Sequence, residues 1–464
     1  MAERAEESQA RVAPVGSPQV LRSPPLRDQV RMIRQLLREP VPVLDEIAQR
    51  HGSMCLLGAG PLRLAIVGEP SAMREMFTTP IDQFRWGHKF NVLSFVVGAE
   101  SLIVSDGDDH HRRRSAVQTA FTRKRLNQWI PMIVDRTDAA IDALVATLPP
   151  GGAALDLYPV GRRLVLEVAA RAFFGERMAE RVDELSDLFQ LPQAYLEGTA
   201  LQQFPHRIPR TRRAKVRDNR RELVRLINEQ IELRRAAPSG DPFDVLEVLA
   251  LDGSLSDSEI CDQVITLIGA GYDTTAATLA WMLCRAAAEP GLWDRLRVEA
   301  DTVLDGSVAD ERSLAALDLA TRTMRETTRL HPAGIVAPRE TATDVTIAGT
   351  RIRKGTLVMW SAYIAGRDPS IWDRPTAFDP DRWSSMSPER RALADTAWVP
   401  FGRGSRNCLG FALAQMELTL ILARLAQRLD LTATSQTVPT PVGLVVNRPK
   451  GGAPMRVASR ASIS

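Results

Sequence analysis

The amino-acid sequence predicts a mostly helical α+β fold, with a large helical portion, a small β-rich portion and one long central helix. Most of the chain before Leu330 has charged residues placed around Leu, Val, Ile and Ala at spacings of three and four, as in amphipathic helices. Short apolar runs that are typical of strands occur at 54–67, 345–352, 357–360 and 442–446. Helices therefore dominate, and strands form a minor part of the fold.

The length and composition are consistent with one large domain. The chain has 464 residues, of which 44% are hydrophobic, enough for an extensive buried core. A single core usually stops growing near ~250–300 residues, but a buried cofactor can sustain a larger one. We therefore expect a loose N-terminal arm over residues 1–25 and a single domain over residues 26–464.

Charge and cysteine usage exclude several classes of protein. The net charge of +3, from 59 basic and 56 acidic residues, does not indicate a nucleic-acid binder. Cys55, Cys261, Cys284 and Cys408 are scattered without a C-x-x-C pair, which argues against a disulfide framework or a zinc site. No signal-peptide core and no run of ~18 uncharged apolar residues is present. The sequence therefore predicts a soluble, cytoplasmic protein.

The first regular elements follow the N-terminal arm. Two short apolar runs within residues 54–67 flank Gly58-Ala59-Gly60-Pro61, and this turn composition predicts a β-hairpin. A helical pattern then begins near Pro70 and continues through most of the chain before Leu330.

One predicted helix is much longer than the others. Ser256 and Glu259 have the spacing of a capping box, and helix-compatible sequence continues to Glu289, before a Pro-Gly pair. Such a helix would span roughly 50 Å, and its apolar character nearly all round predicts burial. Residues 269–275, Gly-Ala-Gly-Tyr-Asp-Thr-Thr, are poor helix formers that interrupt it. A local conflict of this kind marks a candidate site.

The strongest chemical signal is the segment 401–410, Phe-Gly-Arg-Gly-Ser-Arg-Asn-Cys-Leu-Gly. Its three glycines predict a tight loop, and helix-compatible sequence follows, so Cys408 lies at or just before a helix N-terminus. Free N–H groups and the helix dipole at such a position stabilise a thiolate. The alternative is a glycine-rich turn that carries a buried structural cysteine.

This segment resembles the haem-binding loop of the cytochrome P-450 family, F-x-x-G-x-R-x-C-x-G, at every fixed position. The resemblance implies a P-450 fold whose haem b (iron protoporphyrin IX) lies buried between helices, with Cys408 as the metal ligand. A thiolate ligand pushes electron density onto the iron and favours O–O cleavage. Arg406 is then expected to bind a haem propionate and Phe401 to pack near the sulfur. The predicted cofactor-binding glycines, of which the last two permit close backbone approach, are Gly402, Gly404 and Gly410.

A predicted structural triad involves Glu326, Arg329 and Arg382. The first two are three residues apart on one helix face, a common spacing that gains weight from the Leu-His-Pro that follows. This segment resembles the family's E-x-x-R helix. Residues 375–383, Pro-Thr-Ala-Phe-Asp-Pro-Asp-Arg-Trp, match the family's P-x-x-F-x-P-x-R-W segment, which supplies the third partner.

Further cofactor-binding residues follow from the resemblance. Residues 106–114 match the family pattern D-G-x-x-H-x-x-x-R, which implies that His110 and Arg114, four apart on one helix, bind a propionate. Arg339 occupies the place of another propionate-binding arginine. A solvated basic helix face is the alternative, and we prefer it for the three intervening residues, which are His111, Arg112 and Arg113.

The poor helix formers of the long helix resemble the family's oxygen-activation motif A-G-x-D-T-T. The resemblance implies that Gly271 leaves room for dioxygen, that Asp273 relays protons from solvent, and that the Thr274 hydroxyl holds dioxygen and a water. The alternative is an ordinary polar kink. Because peroxide-driven relatives commonly replace this acid–alcohol pair, the motif favours dioxygen with external electrons.

The resemblance covers the chain from about residue 25 and implies a haem-thiolate monooxygenase with a single catalytic domain. No flavin or ferredoxin segment is present, so electrons should come from a ferredoxin or flavodoxin with its reductase. This partner should dock on an arginine-rich patch where Cys408 lies nearest the surface. We expect a monomer. The alternatives are a haem-thiolate binding or gas-sensing protein without turnover, and a helical protein without haem.

The substrate class stays open between fatty acids, terpenoids and sterols. The family's lid corresponds to about 185–225, and the loop at 88–97 is expected to line the pocket. Apolar residues of the lid suggest a lipophilic substrate, namely Leu191, Tyr195, Leu201 and Phe204, and Ile335, Val336 and Ala337 are expected to face the pocket as well. A basic stretch within the lid is either a solvated helix face or a peripheral contact with anionic lipid, and it contains Arg207, Arg210, Arg212, Arg213, Lys215, Arg217, Arg220 and Arg221.

Overall fold

The computed structural model describes residues 21, 23–36, 39–86, 92–198, 200–203, 208–306, 308–435 and 437–460. Some sequence predictions concern positions outside the described residues, namely most of the N-terminal arm, positions 88–91 of the pocket loop, Phe204, Arg207 and the side chain of Leu201. The division into an arm and a single domain over 26–464 stays a prediction.

Helices make up most of the described chain. In chain order they are α1 (Leu26–Leu36), α2 (Pro40–Glu46), α3 (Pro70–Thr78), α4 (Val92–Val97), α5 (Gly107–Gln118), α6 (Arg123–Val145), α7 (Leu157–Phe174), α8 (Glu176–Ala179), α9 (Val182–Leu196), α10 (Ala200–Gln203), α11 (Arg212–Ala236), α12 (Val245–Asp252), α13 (Asp257–Ala288), α14 (Leu292–Val303), α15 (Glu311–Ala316), α16 (Asp318–Leu330), α17 (Ala362–Ala365), α18 (Arg382–Ser385), α19 (Pro388–Ala397) and α20 (Phe411–Arg428). A π-helical turn, Ile47–His51, extends α2, and short 3-10 turns lie at Gly60–Leu62, Ile81–Gln83, Thr119–Phe121 and Gly404–Arg406.

The strands are short and form small sheets. They are β1 (Met54–Leu57), β2 (Leu64–Val67), β3 (Phe84–Arg85), β4 (Ala153–Asp156), β5 (Ala337–Thr341), β6 (Val345–Ile347), β7 (Thr350–Ile352), β8 (Leu357–Trp360), β9 (Leu429–Ala433), β10 (Pro441–Val442), β11 (Arg448–Pro449) and β12 (Pro454–Ser459). The largest sheet has the order β1-β2-β8-β5-β3, in which only β2 and β8 run parallel. The others are β4-β12-β9, β6-β7 and β10-β11.

Two predicted β segments have different outcomes. The hairpin at 54–67 is present, since β1 pairs antiparallel with β2 from Met54 opposite Val67 to Leu57 opposite Leu64. The strand predicted at 442–446 is wrong beyond Val442, because the chain turns back there between β10 and β11. Gly443 has φ of 96°, and a Cβ at this position would lie 2.2 Å from the Val446 carbonyl oxygen, so this turn requires glycine.

Helix α13 is the long helix that the sequence predicts. Ser256 caps it, and Ser256 with Glu259 forms the capping box on both sides. Its 32 residues correspond to about 48 Å, and it contacts α7, α11, α16 and α20 within the main apolar core. The expected interruption at 269–275 is absent, because the α-helix is continuous. The Thr274 and Thr278 hydroxyls each donate to the carbonyl four residues earlier, which lets these residues stay within the helix.

Within the described residues, no helix combines the length and the apolar character that crossing a membrane requires.

Candidate active site

The loop that carries Cys408 is a tight turn directly ahead of α20. Gly410 is the cap of α20, so Cys408 lies two residues before the helix cap. Its backbone N–H donates to the Phe401 carbonyl oxygen at 2.8 Å, which closes the loop. The Phe401 ring packs against Phe411 with centroids 4.8 Å apart. The loop thus holds Cys408 between its own backbone and the first turn of α20.

Two glycines of this loop adopt left-handed backbone conformations. Gly402 has φ of 64° and Gly404 has φ of 72°. A Cβ at Gly404 would lie 2.6 Å from the Phe77 carbonyl oxygen, so α3 leaves no space for a side chain there. Gly410 differs, since its φ is −82° and no other protein atom lies within 4 Å of a Cβ built on it. The described protein atoms therefore leave no room for a side chain at Gly404, the backbone conformation favours glycine at Gly402, and neither constraint applies at Gly410.

The Cys408 thiol differs from the other cysteines in exposure. It is exposed, whereas Cys55, Cys261 and Cys284 are buried. Protein nevertheless surrounds the Cys408 sulfur on most sides, and this burial raises the pKa of its thiol, while the Gly410 backbone N–H and the Arg114 guanidinium oppose the rise. Burial thus works against the thiolate, whereas the Gly410 N–H near the helix N-terminus favours it. A cation bound at the sulfur would favour the thiolate further.

A cluster of cationic side chains converges beside the Cys408 loop. It contains His110 and Arg114 from α5, Arg339 from β5 and Arg406 from the loop itself. Arg406 Nη2 donates to Asp106 Oδ1 at 2.7 Å, and Arg114 donates to the Asn407 side chain and backbone carbonyl oxygens at 2.5 and 3.1 Å. Burial and then the nearby arginines lower the pKa of His110 to about 3. Burial and the Arg406 charge lower the pKa of Arg339 to about 10.

The charge balance of this cluster tests whether a haem fits. Arg114, Arg339 and Arg406 are buried or half-buried, and among the described residues Asp106 is the one carboxylate that pairs with any of them, through Arg406. Arg406 Nη1 is buried without a hydrogen-bond partner, and Arg339 has no ion-pair or hydrogen-bond partner among the described residues. Buried cations of this kind are costly unless an anion compensates them. The residues therefore suit a group with two negative charges, such as the two propionates of haem.

One expectation for α5 is wrong. The sequence argument assigned Arg113 to a solvated face, but it is 7% exposed. Its Nε donates to Glu259 Oε1 at 2.9 Å and its Nη1 donates to Ser105 Oγ at 2.6 Å. Arg112, although exposed, also pairs with Glu259. The N-terminal turn of α13 supplies this carboxylate, and its proximity to α5 was not visible in the sequence.

The predicted triad is a buried ion-pair group. Glu326 Oε1 accepts from Arg329 Nη2 at 2.7 Å and from Arg382 Nε at 2.9 Å, and all three residues are buried. The same oxygen accepts from the Asp379 backbone N–H at 2.9 Å, and Oε2 accepts from Trp383 Nε1 at 3.0 Å. Sequence reasoning missed these last two donors, although Trp383 belongs to the matched segment. The group joins α16 to the segment that leads towards the Cys408 loop.

The middle of α13 carries a narrow exposed stripe. Between Ile260 and Cys284 every residue is buried except Leu267, Gly269, Ala270, Gly271 and Thr274. Four of these recur at spacings of three and four, so they share one helix face. Thr274 Oγ1, the only side-chain hydroxyl on that face, donates to the Ala270 carbonyl oxygen at 2.6 Å. Ala270 is exposed and the other four residues are half-buried, so the stripe is accessible in the centre of an otherwise buried helix, and it is apolar apart from Thr274.

Asp273 lies on the neighbouring face and has a cationic partner that sequence reasoning missed. It is 7% exposed, and its Oδ1 lies 3.4 Å from Arg162 Nε of α7. Arg162 also donates to the Tyr272 hydroxyl oxygen and, at 3.3 Å, to Gln193 Oε1 of α9. Burial raises the pKa of Asp273, and Arg162 opposes the rise. Asp273 Oδ1 and Arg162 Nε are both buried without a hydrogen-bond partner among the described residues, so Arg162 is an electrostatic partner of a carboxylate one residue from Thr274.

A second ion pair lies near Asp273. Arg448 of β11 donates to both carboxylate oxygens of Glu197 at 2.6 Å, and both residues influence the Asp273 carboxyl electrostatically. These residues are remote from Asp273 in sequence and belong to no repeated pattern. Only the folded chain brings them together.

Some residues that were expected to line a substrate pocket are packed elsewhere. Tyr195 has no exposed surface, lies in an apolar cluster with Val216 and accepts a hydrogen bond from Arg213 at 2.7 Å. Leu191 packs against the same cluster. Ile335 has no exposed surface either. The prediction that Tyr195 and Ile335 line the pocket is therefore wrong, because both fill core positions. Val336 and Ala337 are half-buried.

Comparison with known proteins gives the family. The sequence model of the cytochrome P-450 family matches residues 26–453. The chain belongs to the cytochrome P-450 family. It is 34% identical over 405 residues to cytochrome P-450 139 of Mycobacterium bovis, an alignment that covers 85% of this chain and 89% of the relative.

Other relatives of this P-450 are named for their substrates or products. Pentalenene oxygenase of Streptomyces avermitilis is 31% identical over 424 residues, which cover 88% of this chain and 91% of the relative. Cyclooctat-9-en-7-ol 5-monooxygenase of Streptomyces melanosporofaciens is 29% identical over 402 residues, which cover 85% of each chain. The predicted haem-thiolate monooxygenase activity is thereby confirmed at the level of the family.

A solved structure confirms the predicted fold. The retinoic acid-bound cyanobacterial CYP120A1 superimposes with a TM-score of 0.83, at 22% sequence identity, over 96% of this chain and 100% of the other. At this identity the likeness shows the fold alone. The family implies a haem cofactor and the use of dioxygen with redox partners.

Proposed function

We propose that this P-450 inserts one oxygen atom of dioxygen into a terpenoid, with electrons from a separate ferredoxin or flavodoxin and its reductase. The observation that carries this proposal is the exposed stripe of α13. It offers an apolar surface with one hydroxyl, at Thr274, beside the buried Asp273 carboxyl. A lipophilic substrate and a proton-requiring reaction both suit this arrangement.

The cofactor in this proposal is haem b. Covalent attachment of a c-type haem needs the pattern C-x-x-C-H, which the sequence lacks. Cys408 would supply the metal ligand, and the cationic residues that would bind the propionates are His110, Arg114, Arg339 and Arg406. When bound through Cys408, haem supplies the iron chemistry that activates dioxygen.

The roles of Asp273 and Thr274 follow from their surroundings. Because burial raises the pKa of Asp273, its carboxyl holds a proton at a higher pH than a solvated carboxyl does, which suits a group that relays protons. The Arg162 charge favours the ionised form of that carboxyl and so limits the rise in its pKa. The Thr274 hydroxyl, which donates to Ala270, can exchange that hydrogen bond for one with a water or substrate in the exposed stripe. We assign proton supply to Asp273 and proton placement to Thr274.

Relatives support the terpenoid class over fatty acids and sterols. Two of them, at about 30% identity, are named for pentalenene and for cyclooctat-9-en-7-ol, both of which are terpenoids. The stripe of α13 agrees with such substrates, because its exposed residues are small or apolar and carry no charge. A fatty acid would be expected to need a cation near the substrate, and this face of α13 supplies none.

The electron donor is expected to be acidic. An open pocket beside the Cys408 loop is lined by Arg74, Arg403, Phe77, Trp398 and Phe411, among others. Arg74 and Arg403 are exposed, and neither has a carboxylate partner among the described residues. Unpaired surface cations attract an acidic protein and raise its association rate. The donor would therefore dock at this pocket, beside the Cys408 loop.

The proposal is tested by binding and by product analysis. The haem-loaded protein is titrated with cyclic terpene hydrocarbons, long-chain fatty acids and sterols, and the Soret band is followed. Accepted compounds are then incubated with a plant-type ferredoxin, its reductase and ¹⁸O₂. We expect terpenoids to shift the band and to acquire one ¹⁸O atom. Selective binding of fatty acids or sterols would contradict the substrate class, and binding without any product would favour a haem-thiolate protein without turnover.

A further inference from the structure

A buried carboxylate on α13 contacts two elements that are far apart in sequence. Asp262 lies on the N-terminal third of α13 and is 2% exposed. Its Oδ2 accepts from the backbone N–H of Glu100 at 2.9 Å. Its Oδ1 accepts from Arg220 Nη2 of α11, a helix whose N-terminal part lies within the expected lid. The same carboxylate therefore binds the lid helix and the loop that joins α4 to α5.

The loop rests directly on this carboxylate. Gly98 has φ of 104°, and a Cβ at this position would lie 2.0 Å from the Asp262 carboxylate. Glycine is thus required here both by the backbone conformation and by the contact. Further along, the loop is fixed to α13 by Gln263 Oε1, which accepts from the Leu102 backbone N–H at 2.7 Å. Through these contacts, α13 fixes the position of residues 98–102.

The loop continues to the cationic cluster of the active site. After Leu102 it reaches Ser105 and Asp106, whose backbone carbonyl and carboxylate oxygens both accept from Arg406 Nη2. A continuous series of contacts therefore runs from Arg220 through Asp262 and the loop to Arg406.

Arg220 differs from the neighbouring basic residues of α11. It is half-buried, and Asp262 is its acidic partner. Arg221 is exposed, and its partner is Asp218 of the same helix at 3.4 Å. Arg220 is therefore a tertiary contact, whereas Arg221 serves as a matched control on the same helix.

We infer that Asp262 is a latch that couples the position of the lid helix α11 to the loop 98–106 and thereby to Arg406. If α11 moves away from α13, the Arg220–Asp262 pair breaks and leaves a buried carboxylate with the Glu100 N–H as its remaining donor. A buried charge without its partner is costly, so the loop loses its support at the same time. This inference rests on the proposed function in one respect, because it takes α11 as part of the lid over the active site.

Amide hydrogen exchange of the haem-bound, substrate-free protein tests the latch. The variant Arg220→Ala is compared with Arg221→Ala. We expect Arg220→Ala to speed exchange roughly tenfold in residues 98–105 as well as in α11. Arg221→Ala should leave residues 98–105 at the wild-type rate. Faster exchange confined to α11 in Arg220→Ala would overturn the inference.

A second variant separates the latch from general destabilisation. Asp262→Asn keeps an oxygen that can accept from the Glu100 N–H but loses the charge that binds Arg220. If the two side chains act as one latch, adding Arg220→Ala to Asp262→Asn should change exchange in residues 98–105 by much less than it does in the wild type. Fully additive effects of the two substitutions would contradict the coupling.

The outcome is independent of the substrate assignment. The exchange experiment needs the haem-bound fold but neither turnover nor a terpenoid. A protein that rejects terpenoids and still shows coupled exchange would refute only the proposed substrate class. If the protein oxidises terpenoids but amide exchange in residues 98–105 does not change in Arg220→Ala, only the latch would be refuted.

Discussion

At the scale of single residues, the sequence identified residues that act within one local motif. The Cys408 loop and the triad of Glu326, Arg329 and Arg382 come from short patterns with fixed spacing, and the structure brings each set together. Residues whose partners are distant were missed or misread. Arg162 reaches Asp273 from another helix, and Arg113 is buried by a carboxylate of α13. Spacing along the chain carries no information about such contacts.

One prediction at this scale concerns the metal ligand. Cys408→Ser should abolish the red-shifted Soret band of the reduced carbon-monoxide complex, because serine supplies no thiolate. The matched controls are Cys55→Ser, Cys261→Ser and Cys284→Ser, whose thiols are buried and have pKa values raised by burial to between about 11 and about 12. These three variants should keep the band. If a control variant lost the band while Cys408→Ser kept it, the assignment of Cys408 as the metal ligand would be wrong.

A second prediction concerns the buried triad. Glu326→Gln leaves Arg329 and Arg382 buried without a carboxylate, so the free energy of unfolding should fall by about 3–5 kcal/mol. Urea denaturation of the haem-bound protein measures this change. Glu222→Gln is the control, because it breaks an exposed pair with Arg225 and should change stability little. If the two substitutions changed the free energy of unfolding equally, burial of the triad would contribute nothing to stability.

At the scale of elements, long periodic segments were predictable and short pairings were not. The capping box and apolar length of α13 were visible in the sequence, as was the hairpin of β1 and β2. Strands β4, β9 and β12 were not predicted, because they come from distant parts of the chain and pair only after folding. The continuity of α13 through 269–275 was also missed, since hydroxyl hydrogen bonds to the helix backbone compensate the poor helix formers there.

The basic stretch of α11 yields a prediction at the element scale. Arg213 and Arg220 bind protein groups, and Arg217 and Arg221 pair with Asp218. Of the described basic residues of the stretch, this leaves three without an acidic partner among the described residues, namely Arg210, Arg212 and Lys215. If these three attract anionic lipid, the protein should float with acidic vesicles at low salt and detach as salt rises. Replacing all three by Glu should abolish flotation.

The matched control for flotation reverses charges elsewhere. Arg34, Arg85 and Arg177 are likewise without an acidic partner within the described part of the chain, and they belong to other elements. Changing these three to Glu alters the net charge equally and should leave flotation intact. If both triple variants lost flotation equally, the binding would depend on net charge and not on the basic stretch of α11. Binding that does not depend on salt would contradict an electrostatic lipid contact altogether.

At the scale of the whole molecule, the predicted site draws on groups that no single element contains. Cys408 precedes α20, the cationic cluster comes from α5, β5 and the Cys408 loop, and Thr274 and Asp273 lie on α13. That these groups act as one site stays a prediction of the family resemblance, whose motifs follow one order along the chain. The residues around Asp273, from α7, β11 and the end of α9, had no such motif and emerged only from the structure.

The last prediction concerns how the assembled molecule uses electrons. Thr274→Val removes the hydroxyl from the exposed stripe and keeps the shape of the side chain, so the protein should still fold, bind haem and bind substrate. Without that hydroxyl to place a proton, more reducing equivalents should leave as hydrogen peroxide and fewer should enter product. The ratio of product to reduced nicotinamide consumed, with a ferredoxin and its reductase, should therefore fall severalfold, whereas Asp273→Asn should slow overall turnover. Thr275→Val is the control, because Thr275 is buried and lies about 100° further round the helix. An unchanged ratio in Thr274→Val, or an equal fall in Thr275→Val, would remove Thr274 from the proposed proton path and leave the Cys408 assignment untouched.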